Sequence, residues 1–326
     1  MASNTTYDLN QPYDLVANGV ITEEEEIALD AEVAVYQEKL KELEARKKET
    51  YASLSEPEKE ALDAEIKEYT KKANQKFDLL NDMWRNFCVS DTYEPGSTFK
   101  TMSLVVALDH NVCDTADTVN LNHGVWMFHK SKMTDHNWRK GGYDTLSVAG
   151  ILAQSSNVGV SRIIDENYKN DPMKFIDAIT ATGFAEKLDF GVPGTSVPKI
   201  PTPKSKSWSR VALPWMSIGY AVQVPPIYTL NYYNAIANGG KLMRPYLVRE
   251  IRRDGHVIMK NSPEVINSSI CKSSTLKKVQ GMLEGVVEYG TAKSIASDLF
   301  SIAGKTGTAQ LGYGKGGVTK HQVSFC

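Results

Sequence analysis

The string YEPGSTFKTMSLVVAL, residues 93–108, constrains the fold more than any other part of this 326-residue chain. A Pro-Gly turn leads into an apolar run that reads as a buried helix, and Ser97 and Lys100 enter it together. Residues three apart share a helix face, so the Lys100 amine can reach the Ser97 hydroxyl. A serine near its solution pKa is a poor nucleophile and needs a base beside it. A lysine serves as that base only when desolvation or a second cation pulls its pKa down, so a second cation is expected elsewhere in the chain. The helix start adds free N–H groups and a partial positive charge suited to an oxyanion. The spacing S-x-x-K recurs at Ser196/Lys199, Ser269/Lys272 and Ser274/Lys277; only the first copy has the glycine turn and the apolar run.

Two further strings supply what this chemistry lacks. In IAGKTGTAQ (302–310), Lys305 to Thr308 read as a strand. Lys305 provides the cation, Lys305 and Thr306 could bind a carboxylate, and Gly307 leaves room for a substrate backbone on the strand edge. In AQSSNVGVSRII (153–164), Ser155 and Asn157 stand at the head of an apolar helical segment, where a hydroxyl could relay a proton and an amide could hold a carbonyl.

Residues 22–83 differ from the rest. Between 23 and 83 there are 18 acidic and 10 basic side chains, an excess of eight, although the whole chain has a net charge of only −2. Leu29, Val33, Tyr36, Leu40 and Leu43 form one helical seam, and Leu62, Ile66, Tyr69, Ala73, Phe77 and Leu80 form another. Thr22 with Glu25 and Ser55 with Glu58 are capping boxes, and Pro57 suits a first helical turn. The reading is an acidic antiparallel helical hairpin, broken near residues 52–57. Beyond it, helical stretches at 147–165, 172–182, 227–238 and 275–289 alternate with short apolar runs. Residues 241–260 read as two strands around the Asp254-Gly255 turn, which makes the class α+β. The near-neutral charge argues against nucleic acid as a partner. Four scattered cysteines fit neither a disulfide scaffold nor a zinc site. No signal peptide and no run of about 18 apolar residues is visible.

The motifs Ser97-Thr98-Phe99-Lys100, Ser155-Ser156-Asn157 and Lys305-Thr306-Gly307 occur in the order SxxK, SxN, KTG, the set of penicillin-binding proteins and class A β-lactamases. With YEPGSTFK, SSNVG and AGKTGTAQ, and with GFAEKLDFGVPG, SIGYAVQVPPI, AIANGGKLMRPYLV and VVEYGTAKSI in the same order, the chain resembles the transpeptidase domain of class B penicillin-binding proteins. That resemblance implies the penicillin-binding protein/β-lactamase-like fold, an antiparallel sheet flanked by helices. It also implies a D,D-transpeptidase that cross-links peptidoglycan stem peptides without metal or cofactor. Ser97 would be the nucleophile and Lys100 its base; Ser155 would relay a proton to the departing D-alanine, and Asn157 would contact the substrate amide and Lys100. Lys305, Thr306 and Thr308 would bind the terminal carboxylate beside Gly307, and the Ser97 and Thr308 N–H groups would form the oxyanion hole. β-Lactams would acylate Ser97, and division or elongation proteins would be further partners.

The same resemblance sets expected boundaries. Residues 1–21 would begin the transpeptidase domain, with its first strands missing. Residues 22–83 would be an inserted hairpin, and 84–326 the rest of the domain, truncated after the KTG strand. The parent would be membrane-anchored, with this domain outside the cytoplasm. The alternatives are a β-lactamase or β-lactam-sensing domain and a non-catalytic cell-wall scaffold. Glu166 and Asn170 read as a solvated helix end rather than a deacylating pair. GYGKGG (312–317) reads as a hairpin loop rather than a dinucleotide fingerprint. His123, His129 and His136 lack metal-ligand spacing.

Overall fold

The computed structural model describes residues 10–189, 191, 194–311 and 320–326; the hairpin loop expected at 312–317 lies outside them. The chain divides into two compact units, Met1–Asn86 and Phe87–Cys326.

In the first unit, α1 (Glu23–Thr50) and α2 (Glu56–Ala73) are followed by α3 (Gln75–Trp84). Both predicted capping boxes form. Glu25 accepts from the Thr22 N–H at 2.8 Å, and Glu58 from the Ser55 N–H at 2.9 Å, which satisfies groups a helix start otherwise leaves bare. Lys47 pairs with Asp63 near the turn, while Lys76 at the far end reaches Glu26 and Asp30, so the helices run antiparallel. Val33, Leu43, Leu62 and Ala73 are buried along the seam. Phe77, expected in it, is exposed. The second helix restarts at Asn74, and the new helix turns that ring outward.

The second unit opens with α4 (Phe87–Ser90) and a 3₁₀ turn, Gly96–Thr98, that runs into α5 (Phe99–Asp109). Every residue of α5 from Phe99 through Leu108 is buried, Lys100 included. Polar groups inside such a helix need partners. Tyr233 donates to Thr98 O (2.9 Å) and hydrogen-bonds Thr101 Oγ1 (2.7 Å); Ser103 donates to Ser217 O (2.7 Å). Strands β1 (Thr118–Asn120), β2 (Val125–Phe128), β3 (Ser131–Thr134) and β4 (Thr145–Ser147) follow, with β1 paired to β4 and β2 to β3. Then come α6 (Val148–Ala153), α7 (Asn157–Tyr168), α8 (Pro172–Ala181), α9 (Ala212–Met216) and α10 (Pro226–Ala237).

The single helix expected over 147–165 is two. Ser155 takes a left-handed conformation, φ +55°, and breaks it between α6 and α7. Beyond α10, β5 (Leu242–Met243) pairs with β8 (Val265–Asn267), and β6 (Glu250–Arg253) with β7 (His256–Lys260). The β6–β7 turn is the predicted Asp254-Gly255, both residues at positive φ as a type I′ hairpin requires. Helix α11 (Ser273–Glu288) precedes the last pair, β9 (Thr306–Leu311) and β10 (Lys320–Phe325). Among the described residues the strands form five antiparallel pairs, so the class is α+β, with α5 at the centre of the helical core.

Candidate active site

Ser97 lies half-buried at the start of α5, on a turn that two glycines make possible. Gly96 has φ +54° and Gly219 φ +85°. A Cβ on Gly219 would lie 2.2 Å from Gly96 O, so the loop 217–221 packs directly on the turn. On its other side the turn meets β9, where a Cβ on Gly96 would lie 2.8 Å from Thr308 O.

The register of β9 decides which groups face Ser97. Lys305 and Cys326 exchange both backbone hydrogen bonds (2.7 and 3.1 Å). Antiparallel ladders alternate, so Gly307 and Ala309 bond to β10, and Thr306, Thr308 and Gln310 turn their backbone groups to the free edge. Gln310 N–H follows this pattern, donating to Tyr220 Oη at 3.3 Å. The Thr308 N–H therefore faces the Ser97 turn, where an oxyanion would sit. Side chains alternate as well: Gly307 and Ala309 are buried, while Thr306 and Thr308 border open space. A Cβ on Gly307 would strike Ser324 Oγ (2.2 Å) and Thr98 Cγ2 (2.9 Å). The bare Cα of Gly307, expected to leave room for a substrate backbone, also lets β9 pack on the nucleophile turn.

Lys100 Nζ donates to Ser155 O (2.6 Å), Ser155 Oγ (3.2 Å) and Asn157 Oδ1 (2.7 Å). Lys305 Nζ donates to the same Ser155 Oγ (2.8 Å), to Thr306 O (2.9 Å) and to Thr306 Oγ1 (3.4 Å). One hydroxyl therefore bridges two buried amines, and the left-handed kink puts it there. Burial brings the Lys100 pKa down to about 7, against an opposing pull from Asp135. Lys305 is held well below the ordinary lysine range by burial and then by Lys100. Desolvation is the first cause of the low Lys100 pKa, and Lys305, the expected second amine, shares the Ser155 hydroxyl with it, so each disfavours charge on the other. Among the described residues no hydrogen bond joins Lys100 Nζ to Ser97 Oγ, whatever their spacing on the helix; catalytic contacts often tighten only when substrate is bound. Lys305 is wholly buried, so the hydroxyls of Thr306 and Thr308, not its amine, meet a ligand first.

A cleft of about 540 Å³ brings Ser97, Ser155, Asn157, Thr306 and Thr308 together. Its walls include Asp135, His136, Trp138, Tyr220, Thr291 and His321. Thr291 Oγ1 lies 2.7 Å from Thr306 Oγ1, which adds a third threonine to the carboxylate-sized corner. Asp135 lies outside the quoted strings, and Thr291 lies inside VVEYGTAKSI without having been singled out, because both reach the cleft only through tertiary folding. Glu166 is held by Arg162 on an exposed helix face and does not line the cleft.

The sequence pattern of the penicillin binding protein transpeptidase domain matches residues 44–326. The chain belongs to that family. Among curated family members, the probable peptidoglycan D,D-transpeptidase PbpC of Pseudomonas aeruginosa is 29% identical over 243 residues, covering 74% of this chain and 39% of that one. Stage V sporulation protein D of Bacillus subtilis is 29% identical over 249 residues, 74% of this chain and 36% of its own. The chain thus spans well under half the length of these relatives. Among solved family structures, the transpeptidase domain of Burkholderia pseudomallei penicillin-binding protein 3 superposes with a TM-score of 0.62 at 28% identity, covering 74% of this chain and 68% of that one. The fold is that of penicillin-binding protein transpeptidases.

Proposed function

We propose that the chain carries a serine D,D-transpeptidase site that cross-links peptidoglycan stem peptides and is acylated by β-lactams. The observation that carries this reading is the Ser155 hydroxyl bridging two buried lysines beside Ser97. Neutral Lys100 takes the Ser97 proton as Oγ attacks the carbonyl carbon of the D-Ala-D-Ala bond. The Ser97 and Thr308 N–H groups hold the resulting oxyanion, a contribution of about 3–4 kcal/mol per donor in comparable sites. The proton passes through Ser155 to the leaving D-alanine nitrogen, the C–N bond breaks, and an ester on Ser97 remains. An amine from a neighbouring strand then attacks that ester, restoring the Ser97 hydroxyl and forming the cross-link. Thr291, Thr306 and Thr308 receive the terminal carboxylate. This substrate places the reaction outside the cytoplasmic membrane; among the described residues no helix is long and apolar enough to cross one. Residues 22–83 are read as an acidic insertion in this domain, a reading supported by their charge and helical seams.

Intact-mass analysis after incubation with benzylpenicillin tests the reading. Wild type gains one penicillin mass and keeps it for hours, whereas Ser97→Ala gains none. A folded wild type without adduct overturns the proposal, and rapid loss of the adduct favours a β-lactamase. The acylation rate is expected to rise with pH through about 7, because only the neutral Lys100 amine accepts the serine proton. Well below that midpoint the rate should fall about tenfold per pH unit, as for any single required deprotonation. A flat profile between pH 5.5 and 8.5, followed with a fluorescent penicillin, would exclude Lys100 as the base.

A further inference from the structure

Asp135 is one of two buried carboxylates among the described residues, 2% exposed, and stands directly after β3. Its bonds converge on the α6–α7 kink. Oδ2 accepts from Ser156 Oγ (2.7 Å) and Oδ1 from the Val158 N–H (2.9 Å). Its own N–H donates to Gly124 O (2.9 Å), anchoring it to the start of β2. The preceding residue completes the clamp: Thr134 O accepts from Asn157 Nδ2 (2.8 Å), which turns Asn157 Oδ1 toward Lys100. The end of one strand thus grips Ser156, Asn157 and Val158, the residues that follow strained Ser155. The same place gathers two lysine amines that share one hydroxyl and the positive end of α7, and a buried carboxylate favours any proton held there.

We propose that Asp135 is the positioning residue of this site. Its hydrogen bonds hold the Ser155–Asn157 kink against Lys100, and its charge sets how readily the Lys100–Lys305 pair keeps a proton. This rests on the transpeptidase reading above and adds to it a residue outside the three motifs. The charged groups that act on Lys100 are Asp135 after β3 and Lys305 before β9; Glu94 stands on the turn before Ser97, and His136, Tyr220 and His321 line the cleft. Of these, only Asp135 is a carboxylate bonded to the kink, and the others stay unchanged in the variants below.

Asp135→Asn removes the charge and keeps the shape; Ser156→Ala keeps the charge and removes the two Ser156 Oγ bonds, to Asp135 Oδ2 and from the Gly159 N–H. The acylation rate with a fluorescent penicillin is measured from pH 5 to 9, and the Lys100 amine is titrated in parallel by ¹⁵N-lysine NMR. In Asp135→Asn, both midpoints are expected to move down by about one pH unit, the low end of the effect of an adjacent opposite charge, and the plateau rate to fall about tenfold. In Ser156→Ala the plateau falls and the midpoints stay. Equal loss of rate in both variants with unmoved midpoints overturns the proposal, leaving Asp135 a structural cap only. If Asp135→Asn does not fold, Asp135→Glu carries the test, because it keeps the charge and displaces the bonds. A lower plateau at the wild-type midpoint then supports the proposal, and a lowered midpoint refutes it. A wild type that titrates as expected without being acylated would sink the transpeptidase reading instead, and the lysine titration would still judge Asp135.

Discussion

Lys100→Met acylates about 10³-fold more slowly than wild type while remaining folded. The loss is that of a general base, whose removal costs roughly 10²- to 10⁴-fold. Methionine fills much of the same buried volume and has no proton to exchange. It leaves Ser155 O and Asn157 Oδ1 without the donors that Lys100 supplies, yet it ends the burial of an amine. The direction of the stability change follows from the depressed pKa. In the folded chain Lys100 is neutral down to about pH 7, whereas in the unfolded chain it takes a proton below about 10.5. Wild type therefore loses stability as pH falls between those values, by about 1.4 kcal/mol per unit, and the methionine variant does not. Thermal melts of the two proteins at pH 7 and pH 10 should show the variant gaining on wild type at the lower pH. Acylation within tenfold of wild type would move the base to Lys305 acting through Ser155.

Gly219→Ala is expected to damage the fold and the site together. Its φ of +85° strains any L-residue, and the added Cβ would sit 2.2 Å from Gly96 O and 2.6 Å from Gly96 N, backbone that cannot step aside. Gly239 is the control: its φ is also positive, at +66°, but nothing lies within 4 Å of an added Cβ. Gly239→Ala should cost only the conformational strain, about 1 kcal/mol. Gly219→Ala adds a backbone clash, for a total of about 4 kcal/mol, or a fall in melting temperature of about 10 °C. Because the clash falls on the Ser97 turn, acylation should drop as well, in line with the roughly 100-fold cost of a 1 Å misplacement. Equal melting temperatures for the two alanine variants would show that the loop and turn are not packed as described.

Much of this was legible locally. The capping boxes at Thr22 and Ser55, the Asp254-Gly255 hairpin and the helices near 172–182, 227–238 and 275–289 follow from side chains acting within a few residues. The buried run around Lys100 declared itself by composition. The broken helix did not: residues 147–165 carry a continuous helical pattern, and the kink at Ser155 is stabilised by Asp135, twenty residues upstream and on another element. Phe77 misled for a related reason, since a helix restart one turn earlier changes the face on which a ring emerges. The contacts of Gly307 with Thr98 and Ser324 were not legible locally, because those residues come from elsewhere in the chain.

Sequence alone determined which groups are present: a serine and a lysine one helical turn apart, a Ser-Ser-Asn string, a Lys-Thr-Gly strand and the apolar run that must be buried. Tertiary structure decided their chemistry. Whether an amine is a base or an ion depends on how much water reaches it and on which acceptors surround it. Those are properties of several packed elements at once, beyond what any one stretch of chain can encode.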